Sequence, residues 1–207
     1  FNKNPNVVMA ALNHKDVSRY VVHTASKHED PNVAMAALNH PMADGRITHN
    51  AVNYRSDPKV AIAALNHPKS DWETARKAAD HKDPNVVMAA LNHKNVDFRS
   101  VRLAVKHKDP NVAMAALNHP MADNITTQKA VSHEDPKVAI AALDHKEANH
   151  VTLQIGVQNK NPKVAMAALN HKESKNDWNV INQGKIHPNP EVKKVANQIW
   201  DSRKNST

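Results

Sequence analysis

The chain predicts an all-α fold, an α-solenoid of about eight two-helix repeats, and three observations predict it. An eleven-residue phrase, Asp-Pro-Asn-Val-Ala-Met-Ala-Ala-Leu-Asn-His, returns with small changes along the 207 residues, its proline falling at Pro5, Pro31, Pro58, Pro84, Pro110, Pro136, Pro162 and Pro190. The usual step, as from Pro84 to Pro110, is 26 residues, with slips of one or two. Units of that length cannot bury an apolar face alone and must stack on their neighbours. Between the phrases lies a second segment with helical spacing and its own cap, whereas alternation is absent and alanine dominates, so strands find no support.

Each phrase is a helix, helix B. In Asp30 to His40, Asp30 is a favoured N-cap acceptor and Pro31 suits the first turn, where a missing N–H is no loss. Asn39 can take the left-handed C-terminal conformation and Pro41 cannot continue a helix, so the segment ends after about two turns. Its interior is apolar all round, which in a short helix means burial on several sides. The many alanines allow close backbone approach.

Helix A lies upstream of each proline and is clearest in Asp71 to His81 and Asp97 to His107. Asp71, Asp97, Asp123 and Asp177 occupy equivalent N-cap positions, and Val101, Ala104 and Val105 follow helical spacing. Links of about two residues from A to B (His107, Lys108) and about four from B to A (His67 to Ser70) require antiparallel neighbours in a stack of αα-hairpins.

An Asp-Pro start, a Val and Ala interior, an Asn-His-Pro exit and a second segment ending Ala-Val-x-His resemble bacterial leucine-rich repeat variant units and short HEAT-like repeats. The resemblance covers residues 4 to 200. It implies a right-handed superhelix, and often a 3₁₀ second segment. The family pattern usually carries an arginine after the helix B valine, where this chain has Ala34, Val87 or Ala113. One branch carries a cysteine-bound cluster, which a chain without cysteine cannot ligate.

Domain organisation follows from the period. Residues 1–207 read as a single helical-repeat domain. Phe1 stands within four residues of a helix start without a polar terminal unit, so further array is expected before it. Residues 188–207 read as a C-terminal capping repeat, because Glu191, Lys193 and Lys194 replace core-type residues and Trp200 follows. Residues 30–44 and 109–123 are identical, so blocks of three repeats look copied. Growth by duplication suits binding or spacing better than a catalytic site, which needs one unique constellation.

Composition narrows the function classes. No apolar run approaches the ~20 residues of a membrane helix, and no secretory signal pattern opens the chain; it reads as soluble, cytoplasmic or within a larger assembly. There is no nucleophile motif, no Gly-rich phosphate loop and no implied cofactor, metal site or small-molecule substrate. Lysines and arginines number 28 against 20 acids, a net charge of +8 that suits an acidic partner, but no long basic block occurs and a solvated repeat surface is the better reading of so diluted an excess. Twelve of the fifteen histidines fall in two rows. One follows helix B and the other ends helix A. Neighbours in a row lie one interhelix distance apart, ~8 to 10 Å, too far to share a zinc ion, so they read as helix caps near the negative C-terminal dipole.

The candidate partner-binding residues are Trp72, Arg76, Phe98, Arg99, Arg102, Lys106 and Trp178. Trp72, Phe98 and Trp178 share the first position of helix A, where other repeats place Arg19, Arg46, Asn124 or His150. Variation at a fixed position is where repeat proteins write specificity, and exposed Trp is a common hot spot, although packing over the preceding repeat is the plainer reading of these rings. The expected function is a non-enzymatic interaction scaffold with a protein partner. The alternative is a nucleic-acid-binding solenoid contacting phosphates through helix A, with a helical-repeat DNA glycosylase as its enzymatic extreme.

Overall fold

A computed structural model describes residues 3–53 and 57–204. The described residues form helices joined by short turns, with no strand among them and no residue at positive φ. The chain divides into two compact units, residues 1–107 and 108–207.

The first unit contains α1 (Pro5–Leu12), α2 (Arg19–Ala25), α3 (Pro31–Leu38), α4 (Gly45–Ala51), α5 (Pro58–Asn66), α6 (Trp72–Ala78), α7 (Pro84–Leu91) and α8 (Phe98–Ala104). The odd-numbered helices are the helix B phrases, packed in succession as one layer. The even-numbered ones are the helix A segments, packed as the other. The second unit repeats the plan with α9 (Pro110–Leu117), α10 (Asn124–Ala130), α11 (Pro136–Leu143), α12 (His150–Val157), α13 (Pro162–Asn170), α14 (Trp178–Ile186) and α15 (Pro190–Lys204), broken by a 3₁₀ segment, Lys172–Asn176, between α13 and α14. The second segments are α-helical, not the 3₁₀ form that the family resemblance implies.

Local chemistry places the ends. Every helix B from α1 to α13 opens on an Asn or Asp whose side chain accepts from the backbone N–H two residues on, with Pro at the first position. Helix A is capped by Asp or Asn, and in α2 by Ser18. In α6, α8, α10 and α12 the hydroxyl three residues after the cap bonds back to it: Thr74 to Asp71 (3.0 Å), Ser100 to Asp97 (2.8 Å), Thr126 to Asp123 (2.9 Å) and Thr152 to Asn149 (3.3 Å). The links run longer than spacing predicts, five residues (67–71) between α5 and α6 and five (79–83) between α6 and α7, because each helix stops at its last packed residue and a turn follows.

Asn39 closes α3 at φ −80°, ψ −3°, not in the left-handed conformation expected of it. A left-handed residue is unnecessary because the following histidine supplies the turn's acceptor. His40 Nδ1 accepts from Met42 N at 3.1 Å, and the same i to i+2 bond follows helix B at His14, His67, His93, His119, His145 and His171. The helix A row does likewise at His28, His81, His133 and His187, accepting from the cap residue of the next helix. These histidines are caps, as expected, but as acceptors and not as cations on a helix dipole. With Nδ1 accepting, the proton sits on Nε2, which donates outward: His187 to Asn159 O and His107 to Lys82 O, both at 3.1 Å and both in the preceding repeat. Asn159 occupies the same place in its own repeat. Its Oδ1 accepts from Asn161 N (2.9 Å) and its Nδ2 donates to Val131 O (3.0 Å), reproducing both ring bonds.

The core lies between the layers. Val33, Ala34, Ala37 and Leu38 of α3 are buried, with Met35 and Ala36 packed against the core. Helix A buries only the third, fourth, seventh and eighth positions after its cap, as in Thr74, Ala75, Ala78 and Ala79. A buried hydroxyl contact joins successive A helices, Thr48 to Thr74 at 3.1 Å and Thr127 to Thr152 at 3.2 Å.

Candidate interaction surface

Burial of those four positions leaves the first, second, fifth and sixth residues of helix A turned away from the core, and six of the seven candidates sit on α6 and α8 or just beyond. Trp72 opens α6 and is 44% exposed, and Arg76, one turn on, places its guanidinium 4.9 Å from the indole centroid. Phe98 opens α8 at 43% exposure, with Arg102 at 4.7 Å and Arg99 at 5.6 Å from its ring. The same aromatic-to-Arg offset thus recurs on neighbouring, packed helices. Lys106 is exposed just past α8.

These aromatics are half-exposed, with part of each ring covered. The first helical position lies at the rim of the layer, outside the small-residue seam. Arg46 also shifts: α4 begins at Gly45, so Arg46 stands second.

Trp178 belongs to the second unit, apart from the other six. It is 48% exposed, with Arg203 4.7 Å over its ring and Trp200 meeting it at 4.5 Å and 78°, while Lys185 lies 3.9 Å over Trp200. Sequence reasoning missed Lys185 and Arg203, since nothing in the repeat period links α15 to α14. It also missed the Arg76 pairing, although the i, i+4 spacing from Trp72 was there to be read.

A groove of about 400 Å³ runs from His49 of α4, past Glu73, Arg76, Lys77 and Asp80, to Leu103 of α8. Lys77 donates to His49 O at 2.7 Å, a cation on a helix C-terminal carbonyl. Burial, and then the nearby Lys27 charge, hold its pKa below the ordinary lysine value. His49 Nδ1 is buried and has no hydrogen-bond partner. Burial and the Lys77 charge push its pKa down, against weaker opposing pulls from Glu73 and Asp71. Five cations (Arg76, Lys77, Arg99, Arg102, Lys106) lie on α6 and α8 or just beyond, with four carboxylates, Asp71, Glu73, Asp80 and Asp97, on the same helices, their caps and their ends.

No family model, curated protein or solved structure matches the chain significantly.

Proposed function

We propose that the chain is a non-enzymatic interaction scaffold, a right-handed superhelix of about eight repeats of the leucine-rich repeat variant or short HEAT-like kind, binding a protein partner through the helix A face of α6 and α8. The observation that carries this reading is the repeated pair of half-exposed rings on neighbouring packed helices, each with an arginine over it. Trp and Arg dominate binding hot spots because they offer large area at low entropic cost. The chain's net charge of +8 favours an acidic surface on the partner.

Nucleic-acid binding draws on the same arginines. Protein is favoured because aromatic residues are only 3% of the chain, few for base stacking, and no long basic block is present to follow a phosphate backbone.

Affinity capture with the full chain, compared with Trp72→Ala and Phe98→Ala, tests the proposal. A protein captured by the parent and weakened ~30-fold by each change, with helical circular dichroism intact, supports it. Recovery of nucleic acid alone, released steeply by salt with a slope that Arg99→Ala and Arg102→Ala flatten, overturns it in favour of phosphate binding.

A further inference from the structure

A departure from the repeat plan coincides with a large cavity. After α5 the link to helix A takes five residues, but after α13, of equal length, it takes seven (171–177), because the 3₁₀ segment is inserted. The insertion stands beside a cavity of about 770 Å³ that runs from the α11–α12 link to the start of α14. That volume lies in the range of small-molecule sites.

The lining is polar in a particular way. Among the described residues, the side chains of Asp144, Glu173, Asn176 and Asn179 make no hydrogen bond, so their acceptors and amide donors remain for a ligand. His145 and His171 also line it. Each uses Nδ1 to accept from its own loop, at 3.2 and 3.3 Å, which leaves the Nε2–H as a donor. Donors and acceptors are thus mixed around one space. Three carboxylates (Asp144, Glu173, Asp177) against Lys146 and Lys172 keep it close to neutral. That composition disfavours an anion such as phosphate, and no set of three His, Asp or Glu side chains among the described residues is placed to hold a metal ion. Trp178 supplies one apolar surface, half-exposed on the cavity and braced by Trp200 and Arg203.

A hydroxyl is donor and acceptor at once, so a polyhydroxylated neutral ligand satisfies such a mixture better than an anion, a cation or a purely apolar molecule. Pyranose rings add an apolar C–H face that packs on indole. We propose that this cavity binds a neutral carbohydrate of one or two sugar residues, with Trp178 as platform and Asp144, Asn176 and Asn179 bonding its hydroxyls. The site lies wholly in the second unit, so it stands or falls independently of the α6–α8 surface.

Ligand-observed saturation-transfer NMR and amide shift mapping on the full chain, with cellobiose, maltose, mannobiose and diacetylchitobiose as probes at millimolar concentration, test it. At least one disaccharide should show transfer and shift amides confined to residues 144–153 and 171–179. Asp144→Asn and Asn179→Ala, which remove no bond of the fold, should each weaken it about tenfold. If none of the four disaccharides moves those amides, the proposal is overturned. The same holds if inorganic phosphate or tetra-alanine moves them in the sugars' place, or if both variants bind like the parent.

Discussion

Helix B and helix A share one construction, an Asp or Asn cap and two turns of helix, yet the first is nearly constant along the chain and the second varies at almost every outward position. Coverage accounts for the difference. In the first unit α3 packs against α1 and α5 in its own layer and α2 and α4 in the other, which leaves no face free to change. α6 meets α4 and α8 and the B layer beneath, but its first, second, fifth and sixth positions remain at the surface. A sequence copied in blocks therefore drifts on helix A, and drift there produces Trp72 and Phe98.

The sharpest way to break this comparison is a change to leucine in each layer. Ala37 in α3 is fully buried. Ala37→Leu should destabilise by ~1 to 3 kcal/mol in urea unfolding, because a packed seam must open. Glu73→Leu on exposed α6 should stay within ~0.5 kcal/mol. Equal costs would mean that the layers are not differently covered. Hydrogen exchange should localise the Ala37→Leu damage to helices touching α3; uniform loss of protection from end to end would instead mark one cooperative core.

Much of this was legible because the fold's punctuation is local. The Asp-Pro pairs place every helix B start from α3 to α11, and the lone Asp caps place α6, α8, α10 and α14. What was not legible depends on partners distant in sequence. Asn39 was expected to turn left-handed because its own propensity allows it, but His40 already satisfies the loop. The rims occupied by Trp72 and Phe98 can be recognised as exposed only once the buried Thr and Ser at the third position are seen to fill the seam. The insertion at 172–176 registers in sequence as a slip in period, and its cavity does not register at all.

The seam between the layers offers a second, smaller test. Seven residues after the cap, helix A carries Ala25, Ala51, Ala78, Ala104 and Ala130, then Gly156 and Gly184. A Cβ on Gly184 would meet Ala196 Cβ and Leu169 Cδ2, both at 2.8 Å. Gly184→Ala should therefore lose more in packing than the ~1 kcal/mol it gains in helix propensity, for a net loss of about 1 kcal/mol by thermal unfolding. A stabilised variant would show that α14 can move away from α15, and that the terminal pair is packed more loosely than the seams before it.

The histidine rows give a third comparison, between chemistry and shape. His187→Ala removes the bonds to Asn189 N and Asn159 O from a buried site and should cost ~1 to 2 kcal/mol. His187→Asn should recover at least half of that, since Asn159 already makes both bonds at the equivalent place. If Asn proves no better than Ala, ring packing and not hydrogen bonding holds the row.

The smallest effect expected is pH dependence, and it too should separate the layers. His49, in the last turn of α4, has its pKa lowered below 6.5 by burial and then by Lys77, while Glu73 and Asp71 pull the other way; across the seam, Asn50 Nδ2 lies 2.8 Å from His23 Nε2. His93 is lowered too, first by burial and also by Lys94, against upward pulls from the Leu65 carbonyl and Asp71. In both cases the unfolded chain binds a proton at a pH where the folded ring remains neutral. Stability is therefore fully present above pH 6.5 and is lost as the pH falls below it. Urea midpoints measured between about pH 7.5 and pH 5.5, where most carboxylates stay ionised, should fall by a small amount. His49→Gln should flatten part of that fall, and amide exchange on acidification should quicken in α4 and α6 before α3 and α5. A midpoint that rises on acidification would reverse the sign assigned to both rings. A fall that His49→Gln leaves untouched would remove the A layer as its source.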